Sequence, residues 1–230
     1  MPRGLFITGT DTEVGKTLVA CALIHACRRA GMRVVPMKPV AAGCYQTPEG
    51  WKNEDVEALR AAAGIDAPLD EINPYRFVEP IAPHIAASRT KVAIDLAVIR
   101  ERFDMLSRRA DAVIVEGAGG FLVPLNERED FGDLARTLAL PVVLTVGMRL
   151  GCINHALLTQ EAILARGLPL VGWVANRIDP AMSAFDENLE TLKRGLKAPL
   201  LGVVPRMDRL DASAVRLDLP NGQTPSTSFR

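Results

Sequence analysis

The chain reads as an α/β fold: a mostly parallel β-sheet with helices on both faces. Three observations predict it. Short apolar, β-branched runs alternate with segments whose apolar residues recur at helical spacing. The runs show little polar alternation, the pattern of strands buried on both sides. The residues with chemical potential follow directly on those runs, and open parallel sheets bind ligands beyond the carboxyl ends of their strands. At 230 residues the chain is long enough for one large domain with a well-buried core.

The first strand is Leu5–Thr8, followed by a Gly-containing turn and a helical run from Leu18 to Ala30. The second, Arg33–Pro36, leads into Met37-Lys38-Pro39-Val40. Ala41–Asn53 is polar and contains Gly and Pro, so it is expected to be a mobile loop. Asn53-Glu54-Asp55-Val56-Glu57-Ala58-Leu59 opens a helix with acidic residues in its first turn. Leu96, Ile99, Phe103 and Leu106 share one helical face, as do Leu157, Leu158, Ile163 and Leu164. The remaining strands are Ala112–Val115, Val142–Val146, Leu170–Ala175 and Leu200–Val204. With no internal repeat and no dividing linker, residues 1–217 read as a single domain. The apolar-poor stretch 218–230 reads as a flexible C-terminal tail.

Composition narrows the function classes. Hydrophobic residues make up 48% and charged residues 23%, ordinary for a globular protein. Lys plus Arg and Asp plus Glu both number 27, so no net charge advertises a nucleic-acid or anionic-membrane partner. No apolar run is long enough to span a bilayer, and Met1-Pro2-Arg3-Gly4 does not open a signal peptide. Cys21, Cys27, Cys44 and Cys152 show neither a Cys-x-x-Cys pair nor metal-ligand spacing. A reducing cytoplasm is the expected location.

The most informative stretch is Gly9-Thr-Asp-Thr-Glu-Val-Gly-Lys-Thr17, set between the first strand and the first helix. A Gly-rich turn there aims several backbone N–H groups at one spot, where the helix N-terminus carries partial positive charge. Lys16 adds a full charge, and the Thr17 hydroxyl can ligate Mg²⁺. This is a P-loop, with five residues between its glycines in place of the usual four. Glu116, at the tip of a buried strand, is costly there unless paired. The adjoining Gly117-Ala118-Gly119-Gly120 lets a ligand approach the backbone, so Glu116 reads as a metal ligand facing the P-loop across the crevice. From spacing alone Asp55 reads as a helix first-turn acid. Lys38 reads equally as a solvated lysine or as a group stabilising a transferring phosphoryl. His84 is open between an acid–base and a structural role, and no Ser-His-Asp or Cys-His arrangement has supporting context.

Taken together these residues resemble the dethiobiotin synthetase family. The matching motifs are Gly9–Thr17, Lys38-Pro39-Val40, Asn73-Pro74-Tyr75, Ala82-Pro83-His84, Val115–Gly120, Leu150-Gly151-Cys152-Ile153-Asn154-His155-Ala156 and Gly172-Trp173-Val174-Ala175-Asn176. The longer P-loop is itself the family's form. The resemblance implies a P-loop NTPase-like fold and an ATP-dependent, Mg²⁺-requiring cyclisation in which 7,8-diaminononanoate takes up CO₂. It implies Lys16 and Lys38 as catalytic residues and Thr17, Asp55 and Glu116 as Mg²⁺ ligands. It places the nucleotide against Glu13, Val14, Gly15, Lys16, Thr17 and Leu18, against Asp55, Glu116, Gly117, Ala118 and Gly119, and against Asn176, Arg177, Pro205, Arg206 and Met207. It places the diamine against Thr12, Glu13, Lys38 and Ala42, with Gly151, Cys152, Ile153 and Asn154 supplied by the partner subunit of a homodimer.

Two positions depart from the family pattern. Ala42 stands where the family often has a serine touching substrate, and Ala212, beside Asp211, stands at the apparent place of an acidic ribose contact. Two other readings share this style of P-loop. A cobyric acid synthetase-like ligase would need a glutaminase nucleophile, and no cysteine here has that setting. A partitioning or septum-positioning ATPase would carry a second lysine early in the loop, and Thr10-Asp11-Thr12-Glu13 has none.

Overall fold

The computed structural model describes residues 4–65, 67–207 and 211–220. The six apolar runs form one six-stranded sheet. In chain order its strands are β1 (Gly4–Gly9), β2 (Val34–Met37), β7 (Ala112–Gly120), β8 (Val142–Gly147), β9 (Leu170–Asn176) and β10 (Leu200–Val204). Three-residue strands β3 (Val40–Ala42), β4 (Tyr45–Thr47), β5 (Gly50–Lys52) and β6 (Tyr75–Phe77) lie outside it. The central order is β10-β9-β8-β1-β7-β2, with every pairing parallel. β1 therefore lies mid-sheet between strands that come much later in the chain, and its carboxyl end opens a crevice flanked by β7 and β8.

The strands are apolar on both faces because both faces are covered. On one side α1 (Lys16–Arg29) and α2 (Glu54–Ala63) pack over Leu5, Ile7, Ile114, Val143 and Val174. On the other, Phe6, Val113 and Val115 meet a core that includes Ile99, Phe103 and Leu106 of α5 (Leu96–Ser107) and Leu134 of α6 (Phe131–Leu138). Leu144, Val146 and Trp173 meet α7 (Cys152–Ala165) and α8 (Phe185–Gly195) on that same side. Two short helices, α3 (Leu69–Ile72) and α4 (Pro83–Thr90), precede α5.

Four sequence expectations need adjustment. Ala41–Asn53 is not an irregular loop. Val40–Ala42 pairs in parallel with β6, and Tyr45–Thr47 and Gly50–Lys52 form an antiparallel hairpin. Its strands are too short, and Tyr45 and Trp51 too exposed, to leave a buried-strand pattern. Leu158 is 61% exposed on the outer side of α7, while Ile163 is in the core. The first helix begins at Lys16, which puts Lys16 and Thr17 in its first turn. Of the expected tail, residues 218–220 are docked: the Asp218 N–H donates to Leu201 O at 2.8 Å, and Leu219 packs on the core. Residues 221–230 lie outside the described residues.

Candidate active site

The turn from β1 to α1 is held by three hydrogen bonds, two to β8 and one to β9. Thr10 N–H donates to Thr145 O on β8, and Gly147 N–H donates to Thr10 Oγ1. Asn176, at the end of β9, donates from Nδ2 to Val14 O at 2.9 Å. Gly15 is the N-cap of α1, in the left-handed region at φ 85°, and no side chain caps the helix there. Its Cα carries no Cβ because a Cβ would stand 2.1 Å from Asn176 Nδ2. The first-turn N–H groups of α1 thus have neither intrahelical acceptors nor a side-chain cap, which leaves them for an anion.

The charged groups converge on that helix start. Lys16 is 7% exposed, and its Nζ donates to Asp11 O at 2.8 Å. Burial, reinforced by the Lys38 charge, lowers the Lys16 ammonium to about 8. The Thr17 hydroxyl lies 2.8 Å from Asp55 Oδ1 and 2.9 Å from Glu116 Oε1, in reach of donating to either. Lys38, buried at the end of β2, donates to Asp55 Oδ2 at 2.7 Å and to Glu116 Oε1 at 2.6 Å. Burial works against the charged forms of all three groups, and the pairing offsets it unevenly. Glu116 stays above the usual carboxylate range, because burial prevails over the Lys38 charge. At Lys38 the two carboxylates outweigh burial and raise the ammonium, and at Asp55 the Lys38 contact outweighs burial and lowers the carboxyl. Glu116 Oε2 is buried with no hydrogen-bond partner among the described residues.

Three oxygen donors that meet in this way suit a hard cation. Mg²⁺ takes oxygen ligands octahedrally at about 2.0–2.1 Å, so neighbouring ligands stand about 2.8–3.0 Å apart. The Thr17–Asp55 and Thr17–Glu116 separations of 2.8 and 2.9 Å match that edge, and the orphaned Glu116 Oε2 is a spare acceptor beside it. Sequence reading placed Glu116 across the crevice from the P-loop; instead it touches Thr17 directly. β7 adjoins β1 with Ile7 opposite Glu116, and a register shift past that point lets Gly117–Gly119 bow around the loop. Asp55 combines both of its readings, because it is in the first turn of α2 and against Thr17.

These groups line a cavity of about 580 Å³ that also reaches Thr12, Glu13, Ala42, Ala118 and Gly119. Its further wall is Pro80, Ile81, Ala82 and Pro83 at the start of α4 together with Val123; Ala82 and Pro83 belong to a family motif, but apolar and proline residues carry no chemical signal that would mark them as a site. Asp11 was also missed. It holds Lys16 through a backbone carbonyl, which residue identity does not reveal, and its carboxylate pairs with Arg149 after β8. Asn176 ends β9 and lies against the P-loop, Arg177 follows it, and Pro205, Arg206 and Met207 follow the adjoining β10, all outside the cavity lining. Gly151, Cys152, Ile153 and Asn154 start α7, also away from the cavity. The Cys152 N–H is engaged by Arg149 O and its side chain is buried. The four thiols are unpaired and buried, and burial pushes Cys21 up to about 12 and Cys27 to about 11. Asp211 turns its carboxylate back to Ser213, from which it accepts two hydrogen bonds.

A parallel sheet with a Gly-Lys-Thr helix start at its central strand, facing a buried carboxylate on the next, defines a P-loop nucleotide-binding protein. Known proteins agree. A family model described as an AAA domain matches residues 3–214. An ATP-dependent dethiobiotin synthetase of Aromatoleum aromaticum is 60% identical over 95% of this chain and 97% of its own length. The protein of the same name from Nitrosospira multiformis is 57% identical, over 92% of each chain. The chain belongs to the dethiobiotin synthetase family. Among solved structures, a chloroplast FtsY from Physcomitrella patens superposes with a TM-score of 0.54 at 18% identity, over 94% of this chain and 62% of that one. A septum site-determining protein from Pyrococcus horikoshii OT3, complexed with Mg-ADP, gives 0.55 at 14% identity, over 89% and 82%. Those two likenesses show the fold alone. No helix among the described residues is long and apolar enough to cross a membrane.

Proposed function

We infer that this chain is an ATP-dependent cyclo-ligase that makes dethiobiotin from 7,8-diaminononanoate, CO₂ and ATP. The observation that carries the reading is the convergence of Lys16, Thr17, Lys38, Asp55 and Glu116 on one cavity at the P-loop. One amine of the diamine takes up CO₂ as a carbamate. The carbamate oxygen attacks the γ-phosphorus of ATP, giving a carbamic-phosphoric anhydride and ADP. The second amine then attacks the carbonyl carbon, closes the cyclic urea and expels phosphate.

Such a transfer needs positioning and charge neutralisation more than covalent help from the protein. The N–H groups at the start of α1 hold the phosphates, and Lys16 and Lys38 offset charge on the transferring phosphoryl. Thr17, Asp55 and Glu116 would hold Mg²⁺, which when bound neutralises phosphate oxygens. Thr12, Glu13 and Ala42, on the cavity wall, would face the diamine. Asn176 and the segment Pro205–Met207 would flank the base. Gly151–Asn154, outside this chain's own cavity, would serve the diamine carboxylate of a partner copy's site, which makes the active protein a homodimer. Its working compartment is the cytoplasm.

The test is phosphate release. ATP, the diamine and bicarbonate together should give stoichiometric phosphate and a cyclic urea, and omission of any one should abolish both. Lys38→Ala should lose at least about a hundredfold in turnover, the scale set by loss of one transition-state charge contact. ATP hydrolysis indifferent to the diamine would reject the reading.

A further inference from the structure

Lys38 occupies a peculiar place for a residue that acts on a phosphate. Its ammonium is within the metal donor set itself. Nζ stands 2.6 Å from Glu116 Oε1, the same oxygen that Thr17 approaches, and 2.7 Å from Asp55 Oδ2. Its other near oxygen is Gly117 O, at 3.5 Å. The side chain is 4% exposed, so the ammonium is nearly stripped of water, and Glu116 is 1% exposed. The Asp55 side chain is 43% exposed, so the buried charge that most needs a cation is Glu116, and here the protein supplies its own.

We propose that Lys38 is a resident cation of the metal site, so that its ammonium and a divalent ion exclude each other and the ion enters only as nucleotide phosphates draw Lys38 away. The inference rests on the reading of Thr17, Asp55 and Glu116 as metal ligands. A divalent ion bonded to Glu116 Oε1 and Asp55 would sit within a few ångströms of Nζ, where two positive charges in a poorly solvated pocket repel strongly. In the nucleotide-free protein Lys38 has nowhere better to go, because both of its strong partners are the carboxylates. A triphosphate on the P-loop changes this. It gives Lys38 an anionic partner across the cavity, and it leaves Asp55 and Glu116 needing a replacement cation. The exchange makes metal uptake conditional on nucleotide. It also delivers Lys38 to the transferring phosphoryl at the moment the metal arrives.

The experiment is Mn²⁺ binding to nucleotide-free protein, followed by the electron paramagnetic resonance of the free ion, with melting temperature measured in parallel. Wild type should bind Mn²⁺ weakly and gain little thermal stability from it. Lys38→Met, which removes the charge and keeps the chain length, should bind Mn²⁺ at least tenfold more tightly and be stabilised by it. Adding Glu116→Gln to that variant should abolish the gain. A folded Lys38→Met that binds Mn²⁺ no more tightly than wild type overturns the proposal. If Lys38→Met does not fold, Lys38→Gln is measured with the same two outcomes. Wild type alone also decides the matter: nucleotide-free protein that takes up Mn²⁺ as tightly as protein saturated with a non-hydrolysable ATP analogue overturns it. No sample contains the diamine, so failure here leaves the cyclisation reading to its own assay.

Discussion

Gly15→Ala is the perturbation whose size follows most directly from the coordinates. Gly15 has φ 85°, and the left-handed region costs a non-glycine residue about 1–2 kcal/mol. The new Cβ would stand 2.1 Å from Asn176 Nδ2, which is itself bonded to Val14 O. Asn176 has to swing away, and the lost hydrogen bond costs about 0.5–1.5 kcal/mol more. The sum is roughly 1.5–3.5 kcal/mol, which for a chain of this size lowers Tm by roughly 3–14 °C. The same shift disturbs the N–H groups of Lys16 and Thr17, so nucleotide affinity should fall at least tenfold. Urea unfolding of Gly15→Ala, Asn176→Ala and the double variant separates the two contributions. Both single changes break the Asn176–Val14 bond, and the double variant breaks it once. The costs should therefore fall short of additivity by that one bond, about 0.5–1.5 kcal/mol. Strict additivity, or a Gly15→Ala protein with native stability and nucleotide affinity, would refute the account of this turn.

Burial, helped by Lys38, lowers the Lys16 ammonium to about 8, and a bound triphosphate favours its charged form. Nucleotide binding at pH 8 should then take up about half a proton, less at lower pH, read as a dependence of calorimetric enthalpy on the buffer's ionisation enthalpy. Enthalpies independent of buffer would argue against it. Ala42 lines the cavity and its carbonyl accepts from Asn53 Nδ2, so Ala42→Ser adds a hydroxyl to the wall without disturbing that bond. The diamine KM should shift by about one hydrogen bond, 0.5–1.5 kcal/mol, with ATP affinity unchanged; a large change in ATP affinity would contradict the placement. For the homodimer reading, Asn154→Ala should raise the diamine KM, and mixing those protomers with Lys38→Ala protomers should restore about a quarter of wild-type turnover, since about half the dimers then carry one intact site. No recovery in verified mixed dimers would mean that Asn154 does not serve the partner's site.

The amino-acid sequence by itself determined the elements of the central sheet and the identity of its chemistry. Val, Ile and Leu recur in runs at β1, β7, β8, β9 and β10, and burial on both faces removes the polar alternation that would make strands ambiguous. The P-loop is local, its glycines, lysine and threonine contiguous, so it needed no tertiary contact to be read. The hairpin of Tyr45–Thr47 and Gly50–Lys52 left no such trace, because three-residue exposed strands carry neither length nor apolar pattern. Leu158 was misplaced for the converse reason: an apolar residue on a surface helix obeys spacing without being buried.

What only the tertiary structure decided was convergence. Asp55 lies 38 residues from Thr17 and Glu116 lies 99 from it, and nothing local distinguishes Asp55 from any first-turn acid. Insertion of β1 between β7 and β8 brings Glu116 beside Ile7, and the packing of α1 on α2 brings Asp55 to the same hydroxyl. The grip of Asn176 on the P-loop and of Asp11 on Lys16 runs through backbone carbonyls, which every residue possesses and no residue type announces. Local spacing sets which face a side chain takes within its own element. The meeting of elements is set by strand order and long-range packing, so Thr17, Asp55 and Glu116, and the lysine lodged among them, come together only in the folded chain.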